Sequence, residues 1–175
     1  MRCTLSSLWL SALLLSACNS ADNIGNADKN EGDNDNIEPV GSYDIDPASG
    51  EVRATHTDAN GVTTTMRAGK DVPPDLPEPF LLYPGAQVIG TTRVDHGEGA
   101  FVTLDFTTSD ERAQVVEYYR EQALEAGIDP EVEIDGTNAT TLGGENREDG
   151  ISFTLSVTKE GSMTEAQLSV ARGFE

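Results

Sequence analysis

Apolar and polar positions alternate over much of the chain beyond residue 40. Val102, Leu104 and Phe106 alternate with Thr103 and Asp105, and Ile151, Phe153, Leu155 and Val157 alternate with Ser152, Thr154, Ser156 and Thr158. Ala166, Leu168 and Val170 repeat the pattern with Gln167 and Ser169 between them. Successive side chains of a strand point to opposite faces, so each run predicts a strand with one buried face. The predicted strands cover 87–93 and 100–106, joined by a turn at 95–99, and 151–158 and 166–170, joined by a turn at 159–162. Short strands at 131–134 and 140–142 fill the interval before the last hairpin.

One segment switches to a helical period. Val115, Val116, Tyr119, Ala123 and Ala126 fall on one stripe, with Glu117, Glu121 and Glu125 on the opposite, wet side. Thr108-Ser109-Asp110-Glu111 reads as a capping box before it, and Gly127 as a left-handed stop after it. The spacing predicts a helix over 109–126.

Upstream, Thr- and Val-rich runs at 51–57 and 62–67 flank Asp58-Ala59-Asn60-Gly61, which predicts a hairpin, and 43–46 adds a short strand before a turn at 46–50. Pro73, Pro74, Pro77, Pro79 and Pro84 exclude helix from the next segment, which reads as a stiff connector separating the hairpin from the main layer. The expected class is α+β: a two-layer domain over 87–175 with one long helix packed on an antiparallel sheet, plus a β-hairpin extension at 41–72 and a connector at 73–86. About 135 residues suit a single folded unit from 41 to 175.

The N-terminus carries a different signal. An apolar run from about Leu5 to Ala17, interrupted by Ser6, Ser7 and Ser11, stops at Cys18. It is shorter than the ~20 residues that cross a hydrocarbon core. Met1 and Arg2 before it, and the small residues Ser16 and Ala17 at its end, match a secretory signal. Leu15-Ser16-Ala17-Cys18 resembles the lipobox of bacterial lipoproteins. The resemblance implies removal of 1–17, a diacylglyceryl group on the Cys18 sulfur and an acylated Cys18 amino group. Two or more acyl chains hold a protein stably at a membrane. Asn19 at the following position implies sorting toward the outer rather than the inner membrane. With Cys3 in the signal and Cys18 lipidated, no cysteine remains for a disulfide, a metal site or a nucleophile.

Residues 19–40 are dominated by Asn, Asp, Gly and Ala and read, with Cys18, as a disordered acidic tether with a reach of ~25 Å. An EF-hand loop starting at Asp28 fails, because its sixth place holds Asp33 rather than glycine. The formal charge is −20, a field that repels nucleic acid and suits a solvated surface or cationic partners.

LPEPFLLYPGAQV, the strand pair after it, DERAQVVEYYREQALEAG and the closing SMTEAQLSV together resemble a group of small Gram-negative lipoproteins of uncharacterised function, of the alphaproteobacterial type. The resemblance implies location and fold, and no activity.

Catalytic patterns are missing at concrete points. Neither His56 nor His96 has a second histidine at ligand spacing, which leaves Asp95, His96 and Glu98 as the nearest approach to a metal or acid/base cluster, on what also reads as a polar turn. Ser156-Val157-Thr158-Lys159 matches S-x-x-K, yet on a strand its ends face opposite sides. No Gly-rich phosphate loop or nucleophile elbow occurs, and no cofactor is called for. Two functional classes follow: a lipid-anchored, non-catalytic binding or assembly module that meets an envelope protein or glycan at the periplasmic or outer surface, or an enzyme or metal protein with a site built from scattered Asp, His and Glu residues.

Overall fold

The computed structural model describes residues 40–174, so the lipobox-like segment with Cys18, and the following residues to 39 that are read as a tether, lie outside the described residues. In chain order the elements are β1 (Val40–Ile45), β2 (Val52–Thr57), β3 (Thr63–Gly69), β4 (Gln87–His96), β5 (Gly99–Thr108), α1 (Arg112–Glu125), β6 (Val132–Asp135), β7 (Ala139–Asn146), β8 (Ile151–Glu160) and β9 (Met163–Arg172). The strands form one sheet in the order β1-β2-β3-β4-β5-β9-β8-β7-β6, antiparallel at every pairing.

This architecture corrects the expected class. The protein is β-rich, a nine-stranded antiparallel sheet with a single short helix, rather than an α+β domain with a long helix. The chain leaves β5, passes over the front face in α1 to β6 at the far edge, and meanders back through β7, β8 and β9 to pair with β5. α1 lies along β7 and β8: Arg112 in its first turn donates to the Gly136 carbonyl (2.9 Å) just before β7, and Asn146 at the end of β7 donates to the Ala126 carbonyl (3.1 Å) just past its last turn.

The start of α1 also differs from the sequence reading. Thr108 is still in β5, and its hydroxyl accepts from the Asp110 amide (3.2 Å) while the Thr164 hydroxyl donates to the Asp110 carbonyl (2.6 Å). The crossing therefore consumes Ser109 and Asp110. Glu111 becomes the N-cap, with its amide donating to Gln114 Oε1 at 3.0 Å, so the capping contact sits three residues later than expected. The other end is as read. Gly127 has φ +69°, its amide reaches the Leu124 carbonyl (3.0 Å), and the Ile128 amide reaches the Ala123 carbonyl (2.8 Å), a Schellman closure.

The N-terminal hairpin is also not an extension. β3 pairs with β4 from Thr64↔His96 to Gly69↔Thr91, so β1–β3 continue the main sheet. The Pro-rich connector does not separate the two parts but folds back beside α1 as the remainder of the second layer. Phe80 packs on Phe153 (5.4 Å between rings), and Tyr83 stacks on Phe106 (6.2 Å). Leu81 donates its amide to Gln122 Oε1 (2.7 Å), and Tyr83 donates its amide to the Tyr119 hydroxyl (3.1 Å).

Beneath this layer the predicted alternation is realised. Val102, Leu104 and Phe106 of β5, Leu168 and Val170 of β9, and Leu155 and Val157 of β8 are buried on the front face with Val115, Val116 and Tyr119 of α1. α1 itself rests on β7 and β8. No element among the described residues lies over β1–β3, which form an uncovered arm.

Candidate functional site

The arm is where the front face changes from apolar to charged. Register carries the Val170↔Val102 row outward through Arg93 of β4, Arg67 of β3 and Arg53 of β2 to Asp44 of β1. Three guanidinium groups thus stand on neighbouring strands in a chain of net charge −20. Like charges directly opposite one another destabilise a sheet unless they are bridged.

Glu51, just before β2, supplies the bridge. Its Oε1 accepts from Arg53 Nε and Arg67 Nε, each at 2.8 Å, and its Oε2 from Arg53 Nη2 at 3.3 Å. The carboxylate side chain is only 9% exposed, and hydrogen bonds from Arg53 and then Arg67 hold its pKa down at about 2. Arg93 is clasped separately. Its Nε and Nη2 donate to the two Asp95 oxygens (3.0 and 2.6 Å), and its Nη1 donates to the Asp75 carbonyl (2.7 Å), which pins the start of the connector. Arg67 stays 41% exposed, and among the described residues neither of its Nη groups has a hydrogen-bond partner.

Where the arm meets the core, a hollow of about 290 Å³ opens between connector and sheet, lined by Asp75, Leu76, Pro77, Arg93, Glu98 and Arg172, with Ala100 at its floor. Among the described residues Arg172 makes no ion pair.

The sequence candidates disperse around this region. Asp95 lies on the front face, bound to Arg93. His96, one residue on, lies on the back face, where its Nδ1 meets the Thr64 hydroxyl at 2.7 Å and its ring packs edge-on to Phe174. Glu98 is in the β4–β5 turn at the rim of the hollow. The three do not converge, and no group of three or more His, Cys, Asp or Glu among the described residues is placed to hold a metal. Ser156 and Lys159 point apart, as strand geometry requires: Lys159 reaches Glu111 at the start of α1 (3.3 Å), while Ser156 lines a shallow surface on the back.

Sequence reading did not single out Arg53, Arg67, Arg93, Glu51 or Arg172. Each sits at an alternating position of its own segment, and only the cross-strand register makes a row of the three central arginines. Chemically, Arg53 and Arg67 offer permanently charged, fork-shaped donors suited to carboxylate, phosphate or sulfate oxygens, with the hydroxyls of Ser42, Thr55 and Thr65 in the adjoining row and, among the described residues, no imidazole on that face.

No protein-family model, curated protein or solved structure matches the chain.

Proposed function

We propose that the protein is a lipid-anchored envelope protein, held through Cys18 with the outer membrane favoured, whose folded part is a non-catalytic module that binds an anionic envelope protein or glycan. The reading of location rests on the LSAC segment, its short apolar run and the acidic tether, and accords with the resemblance to small Gram-negative lipoproteins. The reading of activity rests on one observation, the Arg53-Arg67-Arg93 row on an uncovered sheet arm. Arg53 and Arg67 are the exposed members of the row (60% and 41% of the side chain), and their guanidinium edges not taken by Glu51 select partners by anionic groups, while the acidic remainder of the chain excludes such partners elsewhere.

Two measurements test the two halves. For the anchor, detergent partitioning and intact mass are compared between wild type and Cys18→Ser; acyl mass on wild type and loss of partitioning in the variant are expected, and identical behaviour refutes the anchor. For the module, the full chain is titrated with a uronate-rich polysaccharide at low and high salt. Binding should weaken with salt and fall on the order of tenfold or more in Arg53→Gln/Arg67→Gln, with the fold checked by circular dichroism. Salt-independent binding, or equal binding by the variant, removes the row as the recognition surface.

A further inference from the structure

The strands that carry charge on the front of the arm carry none on the back. Along the back face the register aligns Tyr43, Ala54, Met66, Val94, Phe101 and Ala171 in one row across β1 to β5 and β9. The rows on either side of it add only Gly, Thr, Ser, His and small aliphatic residues over the same six strands. In a chain that is 24% charged, this face holds no Asp, Glu, Lys or Arg. Charge returns at its borders: Glu145 and Arg147 beside Ala171 and Phe174, Asp58 near His96, and Asp105 and Glu165 below. The face mixes uncharged polar residues with an apolar central row and exposed apolar edges: Tyr43 is 66% and Ile45 52% exposed, and Phe174 lies over Phe101 and His96 without closing the surface. Among the described residues nothing covers it.

We infer that this back face is the interface of a homodimer, two copies packing their sheets face to face about a twofold axis. Charge selects the occupant. A basic partner would be met by carboxylates and an anionic surface by arginines, and this face has neither. A second copy of a chain at −20 is repelled by acidic surface, whereas here two copies approach without placing one like charge against another. Sheets packed face to face sit ~10 Å apart with strands crossing near −30°, a geometry open to two copies of one sheet face related by a twofold axis. Area sets the strength. Six strands at ~4.8 Å and three rows at ~7 Å give roughly 600 Å² per copy, about 1,200 Å² in all, at the lower end for a specific interface. A weak dimer with a dissociation constant on the order of 1–100 μM is the expected result. Pairing does not depend on the front-face ligand, which binds the opposite side of the same strands.

The test uses the full-length chain in cells, with Phe101 replaced by a benzophenone-bearing amino acid. Irradiation should yield an adduct whose mass equals two copies of the chain. Tyr43→Glu, at a position exposed enough to spare the fold, and Met66→Glu should each cut its yield on the order of tenfold or more, since the twofold axis makes every added charge face its own image. Met66→Leu should preserve it. Arg53→Gln/Arg67→Gln should also leave it unchanged, which separates this result from failure of the binding reading. An adduct to lipid or to a different protein alone, no adduct, or a yield indifferent to Tyr43→Glu overturns the homodimer.

Discussion

Glu51 joins two arginines that the sheet register sets side by side, and it gives the arm an acid-sensitive link. Its pKa is lowered from 4.5 to about 2 in the folded state. A carboxyl depressed on folding contributes stability that is present above its unfolded pKa and lost as pH falls through the folded value. The Glu51 link should therefore be intact above pH 4.5 and fade toward pH 2. Urea unfolding of wild type and Glu51→Gln across that window checks this: the variant should lack that part of the acid slope, and an unchanged slope contradicts it. In the core, Leu155 is fully buried between α1 and the sheet. Leu155→Ala should lower unfolding free energy by roughly 2 to 5 kcal/mol, read from denaturant midpoints at constant m-value. Leu155 was legible in the sequence because alternation alone fixes its face. Glu51 was not, because the second arginine it bridges, Arg67, is one strand and sixteen positions away.

At the scale of elements, α1 shows which signals survive folding. Its buried stripe and its stop at Gly127 follow from local chemistry. Gly127 is left-handed, and a Cβ there would meet Asn146 Nδ2 at 2.8 Å. Gly127→Ala should cost about 1 kcal/mol or more, measurable as a lowered melting temperature. Gln122 is the unexpected member. It is buried, and its Oε1 is the acceptor for the Leu81 amide of the connector. Gln122→Leu leaves that amide unpaired and should destabilise by roughly 1 to 3 kcal/mol, whereas a change within about half a kcal/mol would show the pairing to be dispensable. β6 works by charge instead. Its Glu133 and Asp135 face the helix, where Arg120 (2.7 Å) and Arg112 (3.4 Å) meet them, and Val132 and Ile134 are left exposed.

Across the whole molecule, stability should grade from the centre of the sheet to the arm. β5, β9 and β8 lie under the second layer, whereas β1, an edge strand, pairs only with β2, and both lie outside that layer with half-exposed ion pairs at the β2–β3 seam. Amide exchange by mass spectrometry should show β1 and β2 opening at far lower free energy than β8 and β9. Equal protection throughout would mean that the arm is covered, as the face-to-face dimer would do at high protein concentration. Repeating the exchange at two concentrations separates these cases, with protection of the back face rising with concentration if copies pair.

The sequence by itself determined the main strands, the helix stripe, the turns and the alternating core residues of β5, β8 and β9, because period two, period 3.6 and left-handed turn chemistry act between residues close in the chain. It also set the charge and the lipobox-like segment, which need no fold to be read. Only the tertiary structure decided that the fold is β-rich, since β3 pairing with β4 across the connector and β9 closing onto β5 are long-range choices that no local pattern encodes. The same register decided the two faces of the arm. It drew Arg53, Arg67 and Arg93 from three separate segments into a row, and parted Asp95 from His96 because neighbours on a strand point to opposite sides.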